Sequence, residues 1–325
     1  MARQVWLMLR ALARTLAHRV RNGPRLPSWS FTFEAIVRFL RNDWDSAADW
    51  PLERIRAASN EGTYPSKYGR LVAITSEPHG GVPCLHFTPP RLRGKGKILY
   101  FHGGSYFYGS CTTTHKELVA RLAHETGLVG IGVEYRLVPE HTYPAQLEDA
   151  LAVVDALLTE GTAPTELVLA GDSAGGNLVL SAACALRERN VTCAGLVLLS
   201  PWGDLTMPGA SFLENDATDF GTREGLVRHA QAFAKGIALD DPRISPFFAN
   251  LSKLPRSLVV LGTAEIPHDD IRALAEKLTK EGVDVDLHEA KDMPHNAAVF
   301  ADYHPEGARA FQAVVDFVAR AIPSS

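Results

Sequence analysis

From about Leu71 onward the sequence alternates short apolar runs with longer segments of helical period, and no other feature restricts the fold as much. The apolar runs "LVAITS", "VPCLHF", "KILYFHGG", "LVGIGVEY", "ELVLAGDS", "AGLVLLSP", "SLVVLGTAE" and "DVDLHEA" are strand candidates. Between them lie "THKELVARLAHETG", "QLEDALAVVDALL", "AGGNLVLSAACALRER" and "DIRALAEKLTKEG", each with an apolar stripe and several ending at glycine, as helices do. Strands separated by helices pack side by side in parallel, so the pattern predicts an α/β fold with a mostly parallel sheet flanked by helices. At 325 residues and 46% hydrophobic content, the chain can bury one large core with an accessory piece, rather than two equal domains.

Two stretches break the alternation and supply no strand: residues 1–65, and the Gly-, Pro- and acid-rich segment over 203–254. In open α/β sheets ligands bind beyond the carboxyl ends of the strands, where irregular excursions act as lids. We therefore expect N-terminal cap helices over 1–65 and a catalytic domain over 66–325, with 203–254 as a cap excursion.

Charge and cysteine usage exclude several classes. A net charge of -4 leaves no global basic field to attract nucleic acid, so no nucleic-acid partner is expected. Cys84, Cys111, Cys184 and Cys193 form no CxxC pair and no zinc-like spacing with histidine, so they read as reduced, mostly packed thiols, with no metal. The opening "MARQVWLMLRALARTLAHRVRNG" carries six arginines by Arg25 and no acid before Glu34. Val5, Leu9, Leu12, Leu16 and Val20 recur at helical spacing, with Arg3, Arg10, Arg14 and Arg21 on another face, which predicts an amphipathic helix. Arg10 and Arg14 interrupt the apolar run that a signal peptide needs, so a cytoplasmic location is expected. Packing over the body is the preferred reading of this helix, with a membrane-surface or targeting role as the alternative.

The chemistry concentrates in three motifs. "LVLAGDSAGGNLVL" sets Gly171-Asp172-Ser173-Ala174-Gly175 between a strand and a helix, where a G-x-S-x-G turn projects a strained serine above the sheet. The Ala174 amide then lies at a helix N-terminus, suited to a developing oxyanion. "YFHGGSYFYGS" brings Gly103 and Gly104 as further oxyanion donors, and His102 as a residue that orients the loop. A serine nucleophile needs a base and the base an orienting acid, and "KDMPHNAAVF" places His295 after the last strand in the order serine, acid, histidine. His86, His115, His124, His229 and His288 read as packed or solvated imidazoles, and His268 as the rival base.

With "YRLVPEHTYPAQLEDA" between them, these motifs closely resemble the hormone-sensitive-lipase-like branch of α/β-hydrolase esterases, from about Leu71 to the C-terminus. The resemblance implies an eight-stranded sheet with a helical cap, a serine–acid–histidine triad, no cofactor, a small-molecule ester substrate with a short to medium acyl chain, and members that often dimerise. Carried over by position, Ser173 is the nucleophile, His295 the base, and Gly103, Gly104 and Ala174 the oxyanion donors. Ser105 stands where many members have a third glycine.

The acid is less direct, because the aspartate position of the commoner E-x-D-P-L-R-D-E-G pattern, counted from Glu265 in "LGTAEIPHDDI", is Pro267. Proline cannot orient an imidazole. Some members have a shortened loop with a glutamate directly after the strand, and this stretch looks like that form. Glu265 is accordingly the expected acid, with Asp269 as the alternative and Asp270 after it, since both aspartates can serve the start of the following helix. The expected reaction is serine-dependent hydrolysis of carboxylic esters through an acyl-enzyme. Acyl transfer on the same intermediate and a non-catalytic binding receptor are the alternatives. The aromatic residues of the cap stretches, Trp29, Phe31, Phe33, Phe39, Trp44, Trp50, Phe212 and Phe220, are expected mostly to form the cap's own core rather than a pocket.

Overall fold

The computed structural model describes residues 2–61 and 66–323. Three helices come first, α1 (Ala2–Asn22), α2 (Phe31–Ala47) and α3 (Leu52–Glu61). The alternating region follows as β1 (Ala73–Ser76), β2 (Cys84–Thr88), β3 (Lys97–Phe101), α4 (Lys116–Thr126), β4 (Val129–Val133), α5 (Ala145–Thr159), β5 (Leu167–Asp172), α6 (Ala174–Glu188) and β6 (Gly195–Leu199). Two helices, α7 (Ser211–Glu214) and α8 (Arg223–Ala234), interrupt it before β7 (Ser257–Gly262), α9 (His268–Lys280), β8 (Val285–Ala290) and α10 (Pro305–Ala321). All eight expected strands form, in one sheet of order β1-β2-β4-β3-β5-β6-β7-β8. β1 and β2 pair antiparallel, β2 joins β4 antiparallel, and every later pairing is parallel.

Alternate residues of the central strands feed opposite faces of the sheet, as the two-residue period dictates. Leu99, Phe101, Leu167, Leu169, Leu196, Leu198, Val259 and Leu261 pack under α5, α6 and α9. Ile98, Tyr100, Val168, Ala170, Val197, Leu199, Leu258 and Val260 pack under α4 and α10. Each fully buried aliphatic side chain contributes roughly 1.5–3 kcal/mol, so these two layers fix the sheet and with it the strand ends that carry the site.

The N-terminal segment forms the expected helix, but Leu7, Ala11 and Thr15 are its buried residues, and the stripe read from the sequence, Val5, Leu9, Leu12, Leu16 and Val20, is exposed. Among the described residues no helix is long and apolar enough to cross a membrane. Trp29, Phe33 and Phe212 are buried as expected, and Phe33 stacks edge-on against Trp29 and Phe300. Trp44 and Phe220 instead line a cavity above the sheet. All four cysteines are free, and burial pushes the Cys84 and Cys193 thiols up to about 12.

Candidate active site

β5 ends at Asp172, and the next residue, Ser173, takes φ 53° and ψ -117° before α6 begins at Ala174. A side chain rarely adopts this backbone, and it persists because the surroundings leave no alternative. The Ser173 amide donates to Leu199 O (2.9 Å), while Ser173 O accepts from the amides of Trp202 (3.0 Å) and Asn177 (3.1 Å). Gly175 is required here, since a Cβ would stand 1.9 Å from Phe101 O. At Gly171 a Cβ would meet Gly175 O at 2.5 Å, so the two glycines of the motif let strand and helix approach as the sequence implies.

Glu265 lies just beyond β7 and is fully buried. Its Oε1 accepts from the Gly262 amide (2.7 Å) and the Ser200 hydroxyl (3.1 Å), and its Oε2 is 2.7 Å from His295 Nδ1. A carboxylate only accepts, so Nδ1 carries the proton and Nε2 keeps a lone pair. Burial works against the charged form of His295, but the hydrogen bond and charge of Glu265, with Asp219 and Asp172 behind, outweigh it and raise its pKa. Ser173 and His295 line the same cavity of about 240 Å³.

The oxyanion side differs from expectation at one residue. The Gly103 amide donates to Asp172 Oδ1 at 2.9 Å, so it is not available to an oxyanion. Gly103 is glycine for another reason, because a Cβ there would lie 2.3 Å from Asp172 Oδ2. Among the described residues, the amides of Gly104, Ser105 and Ala174 have no protein acceptor, and Gly104 and Ser105 line the cavity. Ser105, and not Gly103, thus has its amide unengaged beside the cavity. The loop turns through three left-handed residues, Gly104 (φ 115°), Ser105 (φ 53°) and Tyr106 (φ 67°). His102 holds it from below, with Nδ1 donating to Gly103 O (2.7 Å) and its ring stacked on Tyr135 at 4.4 Å. Burial, with His115 nearby, pushes the His102 pKa down to about 3, so its ring is neutral.

Sequence reading passed over the carboxylate that joins these parts. Asp172 is buried and accepts from Tyr100 OH (2.6 Å), the Gly103 amide and Asn296 Nδ2 (2.8 Å), with His115 Nε2 at 3.2 Å. Burial alone would raise its pKa, but His115, Tyr100 and the Gly103 amide together hold it below the usual carboxylate range. His115 is thus a cavity-lining partner of Asp172 rather than a spectator on a helical pattern. Asn296 also donates its amide to Ser200 Oγ (3.0 Å), which links the Asp172 cluster to Glu265. Asp219, from the 203–254 excursion, accepts from the amides of Ile266 (2.8 Å) and His295 (3.1 Å). Burial pushes its pKa up, and the neighbouring His295 pulls against that.

Asp269 and Asp270 do begin α9, but their carboxylates do not cap it. Asp269 Oδ2 accepts from the Ser211 amide (3.0 Å) and Asp270 Oδ1 from the Gly209 amide (3.0 Å), so both hold the excursion instead. Burial, with Asp204 nearby, raises the Asp270 pKa to about 7. His268 bonds Asp269 Oδ1 at 3.0 Å, and neither it nor Asp269 lines the cavity.

Residues 98–299 match a family model described as alpha/beta hydrolase fold. The chain is similar to an acetyl-hydrolase of Streptomyces hygroscopicus, with 37% identity over 236 residues covering 71% of this chain and 77% of the relative. It is also similar to an esterase of Acinetobacter venetianus, with 34% identity over 72% of this chain and 82% of that one. Among solved structures, a hormone-sensitive lipase from a metagenome library superposes with a TM-score of 0.82 at 32% identity, covering 88% of this chain and 97% of that one. An esterase from the bacterial hormone-sensitive lipase family gives a TM-score of 0.77 at 31% identity, covering 97% and 98% of the two chains.

Proposed function

The chain belongs to the hormone-sensitive-lipase-like branch of the α/β-hydrolase superfamily and is a carboxylic ester hydrolase, and we propose that it cleaves short- to medium-chain esters through an acyl-enzyme on Ser173. The observation that carries this reading is the 2.7 Å bond from His295 Nδ1 to buried Glu265, beside a cavity that also receives Ser173. His295 Nε2 takes the Ser173 proton as Oγ attacks the acyl carbon, and Glu265 holds the ring and stabilises the imidazolium. The amides of Gly104, Ser105 and Ala174 receive the oxyanion. As the tetrahedral intermediate collapses, His295 returns the proton to the departing alcohol. Water then loses a proton to His295 as it attacks the acyl carbon, and His295 passes that proton to Ser173 Oγ as the acid leaves. Helices α1–α3 and the 203–254 excursion serve as the cap, contributing Gln4, Asp43, Trp44, Ser59 and Phe220 to the cavity wall.

Cavity size bears on the acyl chain. At about 240 Å³ it lies below the roughly 300–1,000 Å³ usual for drug-sized ligands. Across p-nitrophenyl esters, kcat/KM is expected to peak between acetate and hexanoate and to fall by more than about tenfold at palmitate. A maximum at palmitate would reject the short- to medium-chain assignment.

The pH dependence follows from His295, which acts as a base only when neutral. Its pKa is raised in the folded chain, so the acid limb of kcat/KM should have its midpoint above the usual histidine value of about 6.5. Activity is lost as pH falls through that midpoint. A profile with its midpoint well below 6.5 would show that Glu265 does not support the imidazolium.

A further inference from the structure

Helix α1 has two apolar stripes and needs only one of them to pack. Leu7, Ala11 and Thr15 are buried toward the body, where α1 lies against α2. On the other side Val5, Leu9, Leu16 and Val20 are 54%, 60%, 57% and 78% exposed, with Leu12 between them. At 100° per residue these five fall within an arc of about 80°, nearly opposite the packed stripe. A helix retained only for packing turns polar residues outward, as α9 does with Arg272, Glu276 and Lys280.

The side of α1 between the two stripes is basic. Arg3, Arg10, Arg14 and Arg21 fall within an arc of about 40° nearer the packed stripe, where Arg3 pairs with Asp43 of α2 at 2.6 Å; α1 has no acid, and the Arg10 guanidinium sits 5.2 Å over the exposed Trp6 ring. Arg14 and Arg21 are exposed and have no carboxylate partner among the described residues. Residues 1–33 hold six arginines and no acid, leaving 27 basic against 37 acidic residues for the remainder. We propose that α1 docks on an anionic lipid bilayer, lying in its surface with the bare stripe at the acyl boundary and Arg10, Arg14 and Arg21 reaching the headgroups. A two-fold contact with a second copy would set this acid-free helix against itself, with nothing on it to neutralise the arginines. Gln4, on the packed side of the same helix, lines the catalytic cavity, so docking would bring the lipid surface next to the cap wall. The proposal rests on α1 alone and is independent of the assignment of the triad.

The test is co-sedimentation of the full chain with vesicles of phosphatidylcholine, with and without phosphatidylglycerol. Binding should be at least about tenfold tighter to the anionic vesicles and should weaken as salt rises. Leu9→Ser with Leu16→Ser should lower it by about tenfold or more, and Arg14→Glu with Arg21→Glu should remove the preference for anionic lipid. Both double variants should turn over p-nitrophenyl acetate like the parent, since none of these residues lines the catalytic cavity. Equal or absent binding to the two vesicles would overturn the proposal. So would a dimer that the serine variant converts to monomer while vesicle binding is absent.

Discussion

Replacing Ser173 with alanine is expected to lower kcat/KM for a simple ester by about 10⁴- to 10⁶-fold, to the residual rate that binding and oxyanion donors sustain alone. The physical reason is that no other hydroxyl occupies this position. Ser173 stands at the carboxyl end of β5, on the N-terminus of α6, in a conformation held by Leu199, Trp202 and Asn177. Alanine keeps the same backbone strain and removes only Oγ, so the thermal melt should stay close to that of the parent. Folding and activity then separate, and the loss is assigned to chemistry.

The second large effect is expected at Glu265. Glu265→Gln is nearly isosteric, yet it should lower kcat by about 10⁴-fold, the scale seen when a triad histidine is held in the wrong tautomer. The Gly262 amide and the Ser200 hydroxyl both donate to Oε1. A glutamine would therefore keep its carbonyl oxygen there and turn its NH₂ toward His295 Nδ1. The ring would have to accept on Nδ1 and carry its proton on Nε2, where it cannot take the Ser173 proton. Asp269→Asn is the matched control. Asp269 bonds the Ser211 amide and His268, outside the cavity, so its loss should loosen the 209–211 segment and leave kcat within about tenfold of the parent. A severe loss in Asp269→Asn beside near-normal Glu265→Gln would transfer the acid role to Asp269.

The parts of this architecture visible in the sequence are those that local periodicity or backbone geometry dictates. The apolar runs, the glycines flanking Ser173 and the proline at 267 each act through near neighbours, so their consequences could be read one motif at a time. Asp172 was hidden because its importance comes from Tyr100, His115 and Asn296, which lie up to 124 residues away in the chain. Without that carboxylate in view, Gly103 looked like a free donor, when its amide is committed to Asp172. Asp219 sits in an excursion with no periodic pattern, and only the fold brings it against the His295 and Ile266 amides. Asp269 and Asp270 met the usual criteria for helix starts. The return of residues 209–211 over α9 gave their carboxylates other partners.

These connections also place the 203–254 excursion in contact with His295 and with the loop that carries Glu265. Asp219 belongs to the excursion, while its two amide partners are Ile266, next to Glu265, and His295. Movement of the excursion would therefore be felt at His295 as well as at the cavity wall that Phe220 helps to form.

The central claim, an acyl-enzyme on Ser173 activated by His295 and Glu265, is tested most directly by trapping it. Incubation with a fluorophosphonate followed by peptide mass spectrometry should place one covalent adduct per chain on Ser173. Labelling should vanish in Ser173→Ala and slow by orders of magnitude in Glu265→Gln. An adduct on any other residue, or labelling of Ser173→Ala at the rate of the parent, would contradict the account.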